Sequence, residues 1–300
     1  MSTDPNPSPG SDTPVPTCYR HPGRETYVRC TRCDRYICPE CMRDAAVGHQ
    51  CVECVAEGNK NVRRARTVLG GRAPESATPV VTYSLIGICV LVYLAELASW
   101  KVVEDFMMLG VAVGREGRLV GVAEGEPYRL FTSMFLHQRP SGGSFGITHI
   151  LFNMWALWAI GPELERVLGR WRFVALYVLS GLGGSVLLYL VEPGSAAVGA
   201  SGAIFGLFGA FFIIGRKFGG QVGPIVFLLV INLVITFAVP GISWQGHIGG
   251  LVTGALLAVA YAYAPAKQRQ LIHIAAPVVT LVLFAILVMV KTADLTAGVA

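Results

Sequence analysis

After residue 78 the chain is dominated by long apolar stretches, each close to the ~20 residues that cross a bilayer as a helix. Seven membrane helices are expected, at roughly 79–100, 147–165, 172–191, 199–215, 222–239, 244–264 and 272–290. Residues 101–146 form a long first loop. Its moderately apolar patches, MMLGVAVG and RLFTSMFL, suit partial insertion at the membrane interface. Ahead of the helices the pattern is different. Residues 1–17 hold five prolines and no aromatic residue, the composition of a disordered leader. The leader lacks the basic and apolar regions of a signal peptide, so the amino terminus is expected to stay where the protein is made. A cysteine- and histidine-rich module follows at 18–54, and then a basic linker at 55–78.

Composition sharpens this reading. Of the 300 residues, 53% are hydrophobic and only 14% charged, against about a quarter charged in soluble chains. The net charge of +5 could suggest nucleic acid. However, five of the basic residues lie in Lys60–Arg72, directly before the first apolar run, where membrane proteins place cytoplasmic anchor charges. No nucleic-acid partner is expected. With the N-terminus cytoplasmic, the inner loops carry Arg166, Arg170 and Arg172, then Arg216 and Lys217, then Lys267 and Arg269. The short outer loops near 192–198 and 238–243 carry no Lys or Arg. The seventh helix then leaves the C-terminus outside. The Arg-, Ala- and Gly-rich composition suggests a bacterial source and the cell membrane.

This topology brings four polar groups to a similar depth below the outer face: Ser201, His247, and the pair His149 and Asn153. Taken singly, each has an ordinary account. A serine in a glycine-rich helix is usually a close-packing surface, here with Gly199, Gly202, Gly206 and Gly209. His149 and Asn153, four residues apart, share one helical face and could form a structural hydrogen-bonded pair. An intramembrane histidine such as His247 is costly, and alone it fits a structural or a functional account about equally. Together the groups suit acyl transfer. A serine nucleophile needs a base within hydrogen-bond reach and donors aimed at the developing oxyanion. The Ser201 amide, at a helix N-terminus, is a further donor. With no Asp or Glu in the apolar cores of the fourth to sixth helices, a Ser–His dyad is favoured over a triad.

The sequence resembles the rhomboid family of intramembrane serine proteases over about residues 79–265. GASG is similar to the family's nucleophile motif, with Ser201 between Gly199 and Gly202. GHIGGLVTG is similar to the motif of the histidine helix, giving His247, Gly250 and Gly254. HILFN supplies His149 and Asn153, and GPELERVLG supplies Gly161, Glu165 and Gly169. PYRLFTSMFLH resembles the first-loop motif around Arg129, with Tyr128 where a tryptophan often stands. Phe205 fits an aromatic that stacks on the catalytic histidine. The resemblance implies an all-α polytopic membrane protein, a six-helix bundle with an added C-terminal helix at 272–291 and a cavity open to the outside. It further implies Ser201 and His247 as catalytic, His149 and Asn153 as oxyanion donors, and single-pass membrane proteins as substrates. No cofactor is expected for the catalysis.

In the N-terminal module the spacings are Cys18-x2-His21, Cys30-x2-Cys33, Cys38-x2-Cys41 and Cys51-x2-Cys54, with His49 beside the last pair. Four such pairs suit two tetrahedral zinc sites. Disulfides are the alternative, disfavoured in a reducing cytoplasm. The pattern resembles a B-box-type zinc finger. That resemblance implies interleaved sites, Cys18, His21, Cys38 and Cys41 at one ion and Cys30, Cys33, Cys51 and Cys54 at the other. His49 is left over and could replace a ligand. The module's mixed charge favours a cytoplasmic protein partner. The eighth cysteine, Cys89, lies in an apolar run as a packing residue.

Two other functions are compatible with a polar intramembrane cavity. A non-proteolytic rhomboid-like client binder would have no need for both Ser201 and His247. A transporter would be expected to show paired acidic residues or interrupted helices in corresponding halves, and neither is found.

Overall fold

A computed structural model describes residues 14–60, 67, 69, 78–114, 117–140 and 145–297. Most of the expected leader and of the basic linker lies outside these residues. The chain divides into two compact units, Met1–Arg64 and Ala65–Ala300.

The N-terminal unit has little apolar side chain to bury. Two short antiparallel pairs, β1 (Thr17–Cys18) with β2 (His21–Glu25) and β3 (Met42–Asp44) with β4 (His49–Cys51), precede helix α1 (Val52–Lys60). Its core is six cysteines around Ile37. Helix α1 takes up the first six residues of the expected linker.

The second unit is built on seven long helices: α2 (Val80–Ala98), α5 (Ile147–Leu168), α6 (Arg170–Val191), α7 (Ser201–Phe218), α8 (Gly223–Ala238), α9 (Trp244–Ala262) and α10 (Arg269–Ala297). Short helices α3 (Trp100–Phe106) and α4 (Arg129–Thr132) lie in the first loop. Four of the long helices, α2, α6, α7 and α10, are long and apolar enough to cross a membrane by length and composition alone. Helix α8 is apolar but shorter. Helix α5 carries Glu163, Glu165 and Arg166, and α9 opens on Trp244-Gln245-Gly246-His247. Of these, Glu165 and His247 belong to the frame and the site, while Glu163 and Arg166 pair with each other at the surface.

Helix α7 is central, buried without a break from Gly202 to Ala210. It lies against α6 and α9 with almost no side chain between the backbones. A Cβ on Gly250 would overlap the Gly202 carbonyl oxygen, and one on Gly254 that of Gly206. Helices α6 and α9 meet in the same way: a Cβ on Gly249 of α9 would overlap Gly183 O, and one on Gly184 of α6 would overlap Gly246 O. Small residues permit this approach, and dispersion between the backbones rewards it. Helix α10 is peripheral. Only 6% of its most apolar window is buried, against 61% in α6, so its apolar surface faces outward, as in a bilayer. Tyr189 and Thr292 hydroxyls, 2.7 Å apart, join it to α6.

Glu165, itself buried, accepts from the Val81 and Thr82 backbone N–H groups at 3.0 and 2.8 Å and from the Thr82 hydroxyl at 2.9 Å. Those amides belong to the first turn of α2, where helical donors have no partner of their own. A carboxylate there also suits the helix dipole. Gly161 lets α5 come close enough, since a Cβ would stand 2.7 Å from Thr82 Cγ2. Gly169 (φ 79°) makes the turn from α5 into α6.

Arg129 fastens the first loop. It is buried, donates through Nε to Glu126 at 2.7 Å, and through Nη1 to the carbonyls of Glu104 and Met107 at 2.6 and 3.2 Å. Tyr128 keeps its ring at the surface, edge-on to Phe106. Within the loop, β6 (Ala112–Val113) pairs with β7 (Leu119–Val120), and β5 (Met108–Leu109) pairs with β8 (Ala196–Ala197) just ahead of α7. The loop thereby holds the strand that leads to Ser201.

Candidate active site

Ser201 is the first residue of α7 and His247 lies in the first turn of α9. Close packing of these two helices brings the side chains together, with Ser201 Oγ 2.8 Å from His247 Nε2. The imidazole stacks on buried Phe205, one turn along α7, with ring centroids 4.2 Å apart and planes 12° apart. Ser243 caps α9 by accepting from the Gly246 N–H at 3.2 Å.

The far side of the ring is held by a residue that sequence reasoning missed. Thr236 of α8 places its Oγ1 2.7 Å from His247 Nδ1 and 2.6 Å from the Asn232 carbonyl oxygen. Nothing in the local sequence marks this threonine. Its role comes from packing α8 against α9.

His149 and Asn153 also line the cavity onto which Ser201 and His247 open, a volume of about 520 Å³. The Gln138 backbone N–H donates to His149 Nδ1 at 3.1 Å. The neutral ring therefore carries its proton on Nε2. That nitrogen borders a notch over Gly199, where a Cβ would stand 2.9 Å from His149 Nε2 and 3.5 Å from Ser201 Oγ. Gly199 has φ 136°, which a side chain would strain, and its own N–H is bound to Ser133 O at 3.0 Å. Asn153 is buried and spends one amide hydrogen on the His149 carbonyl at 2.8 Å. The first amide of α7 taken up by a backbone carbonyl is that of Ile204, bonded to Ala200 O at 3.0 Å. The Ser201, Gly202 and Ala203 amides before it take no backbone carbonyl among the described residues, as is usual at a helix start. Arg129, Glu165, Gly250 and Gly254 lie outside this cavity, in the frame around it.

In the other unit, the ligand atoms of Cys18, His21, Cys38 and Cys41 form one group and those of Cys30, Cys33, Cys51 and Cys54 another. Within each group the atoms all lie within 4.8 Å of one another. Thiolates about 2.3 Å from one ion stand about 3.8 Å apart at tetrahedral angles, and Cys33 and Cys51 sulfurs are 3.8 Å apart. His21 Nδ1 lies 3.3 and 3.5 Å from the Cys38 and Cys41 sulfurs. All the cysteines are free thiols. Burial alone would raise the Cys18 thiol, but the Cys38 and Arg20 backbone amides and the His21 ring hold it at about 6. Burial and the neighbouring Cys18 and Cys38 push Cys41 up to about 11. Such crowded sulfurs fit a cation, which removes their mutual repulsion. His49 belongs to neither group and lies 3.4 Å from the Asp44 carboxylate.

Comparison with known proteins bears on the helical unit. The sequence profile of the Rhomboid domain matches residues 124–264. The chain is 36% identical over 193 residues to rhomboid protease GluP of Bacillus subtilis, covering 62% of this chain and 36% of GluP. It is 38% identical over 150 residues to the rhomboid YdcA of the same organism, covering 47% of this chain and 70% of YdcA. With RHOMBOID-like protein 1 of Arabidopsis thaliana it shares 36% identity over 148 residues, 47% of this chain and 36% of that protein. The chain thus spans little more than a third of the first and third of these relatives and over two thirds of the second. Shared sequence over the helices that carry the serine and the histidine, on a multi-pass apolar bundle, makes this chain a member of the rhomboid family.

Proposed function

We propose that this protein is a serine-type intramembrane endopeptidase that cuts transmembrane segments of other membrane proteins. The observation that carries the reading is the Ser201–His247 contact of 2.8 Å, stacked on Phe205 and open to a cavity bordered by His149. The relatives' names as rhomboid proteases support it.

In the proposed reaction Ser201 Oγ attacks the scissile carbonyl carbon while His247 Nε2 takes its proton. The carbonyl oxygen becomes an oxyanion in the notch over Gly199. There His149 Nε2–H, the second amide hydrogen of Asn153 and the amides at the start of α7, that of Ser201 among them, donate to it. The carbon–nitrogen bond breaks as His247 returns the proton to the leaving amine. Water then attacks the acyl-enzyme by the same route in reverse roles. Bound donors aimed at developing charge supply the largest share of such catalysis. Substrates would be single-pass proteins whose helix presents small residues at the cut.

The two sulfur-rich groups would hold two structural zinc ions. Cys18, His21, Cys38 and Cys41 form one site and Cys30, Cys33, Cys51 and Cys54 the other. The charge pattern of the loops supports a cytoplasmic N-terminus and an external C-terminus. The module would then recruit a cytoplasmic partner, or a substrate tail, and raise its local concentration.

The test is cleavage of a single-pass reporter by purified enzyme in detergent, together with labelling by an alkyl fluorophosphonate. The expected result is a covalent adduct at Ser201 and cleavage that is lost in Ser201→Ala. Cleavage that persists in that variant would overturn the proposal.

A further inference from the structure

We infer that Thr236 of α8 is a positioning residue for His247, fixing the tautomer in which Nε2 is free to act as base. The inference rests on the proposed serine-protease reading and adds a third member to its catalytic unit.

The argument is a count of protons. The Thr236 hydroxyl has one hydrogen to give. Its two neighbours are the Asn232 carbonyl oxygen at 2.6 Å, which can only accept, and His247 Nδ1 at 2.7 Å. Donation to Asn232 O leaves the hydroxyl oxygen as an acceptor, and His247 Nδ1 must then be the donor. A neutral imidazole protonated on Nδ1 has its lone pair on Nε2, the atom 2.8 Å from Ser201 Oγ. The protons therefore point one way along the whole chain: Ser201 O–H to Nε2, Nδ1–H to Thr236, Thr236 O–H to the backbone of α8. In the other tautomer Nε2 would carry hydrogen and could not receive one from the serine.

The placement of Thr236 supports a specific task. Only Ile225 and Thr236 of α8 are buried, so the hydroxyl is the helix's one deeply seated polar group. Threonine in a helix commonly bonds back to the carbonyl four residues earlier, which fixes the direction of its hydrogen without any neighbouring charge. A base needs a third group to orient it. Serine triads use a carboxylate for this, and a neutral hydroxyl anchored on a backbone carbonyl fills the same position here at no cost of a buried charge.

The experiment is magic-angle-spinning NMR of the full chain in liposomes with 15N-labelled histidine, His247 being assigned by difference from His247→Ala. It is paired with kcat and KM for Thr236→Val and Thr236→Ser. The wild-type His247 is expected to carry its proton on Nδ1. In Thr236→Val, which keeps the shape and loses the hydroxyl, the Nε2–H form should appear. There kcat should fall about two- to thirteenfold, the worth of one hydrogen bond, with KM unchanged. Thr236→Ser should recover both the tautomer and the rate. A wild-type His247 protonated on Nε2 would overturn the inference without any variant. So would a Thr236→Val enzyme with unchanged tautomer or rate, or a Thr236→Ser enzyme as impaired as Thr236→Val. If wild-type Ser201 takes no fluorophosphonate and no substrate is cut, the protease reading fails instead, and the tautomer still reports on the hydrogen-bond chain.

Discussion

At the scale of single residues, the site depends on atoms a few tenths of an ångström from overlap. Ser201→Ala and His247→Ala should each lower cleavage on the order of 10⁴-fold or more, because each removes half of a unit that works only whole. Thermal melting should be unchanged, since neither side chain is deep in the core. Gly199→Ala is a sharper probe. The added Cβ would stand 2.9 Å from the His149 ring, inside the notch proposed for the oxyanion. Loss of one oxyanion donor costs roughly 100- to 1000-fold in turnover, so a fall of that order is expected, with Ser201 still present and the melting point lowered only modestly. Titrating the variant with a peptide aldehyde, whose adduct also places an oxygen in the notch, should show weakened binding.

At the scale of elements, buried polar groups join one helix to another far away in sequence. Glu165→Ala would leave the Val81 and Thr82 amides without their carboxylate. Unsatisfied buried donors cost about 1–3 kcal/mol each, and a loss of about 3 kcal/mol in stability is expected, measured by denaturant or heat. Enzyme that remains folded should keep its kcat. The helices themselves were legible in the sequence. An apolar run expected at 79–100 is α2 at Val80–Ala98, and one at 222–239 is α8 at Gly223–Ala238. Apolar length is a local property, and it fixes a membrane helix with little help from its neighbours. The last helix runs further than the expected 272–290, from Arg269 to Ala297, because its polar ends continue the helix beyond the apolar part. The clustering of Ser201, His247, His149 and Asn153 was legible through motifs. What Glu165 caps, and that Thr236 touches His247, could not be read. Both depend on partners, 83 residues apart in the first case and 11 in the second. The pairing of β5 with β8 was hidden for the same reason.

At the scale of the whole molecule, the two units make separate claims on stability. The N-terminal unit buries cysteines where other folds bury leucine, so removing metal should unfold it, as in other small metal-dependent modules. Elemental analysis of the full chain is expected to give two zinc ions. A strong chelator should release both, abolish the module's secondary structure, and leave cleavage of a generic substrate in detergent intact. A chain beginning at Ala65 should behave in the same way. That boundary is preferable to one at Thr78, because Leu69 is buried with the core of the helical unit.

The close contact of α6, α7 and α9 has a consequence for how such a protein can change over generations. When a side chain in an ordinary core grows, a shrinking neighbour can make room, and the pair of changes is tolerated. Where Gly250 faces the backbone of Gly202, and Gly254 that of Gly206, there is no side chain to shrink. No second mutation at the facing residue can restore the space, because nothing is smaller than hydrogen. These positions therefore have no compensatory partner. In a library of all single and double substitutions, replacements at Gly250 or Gly254 should be rescued by no change at Gly202 or Gly206. The route to variation in this fold would then run through its outer helices and loops, while the three central helices are inherited as one piece.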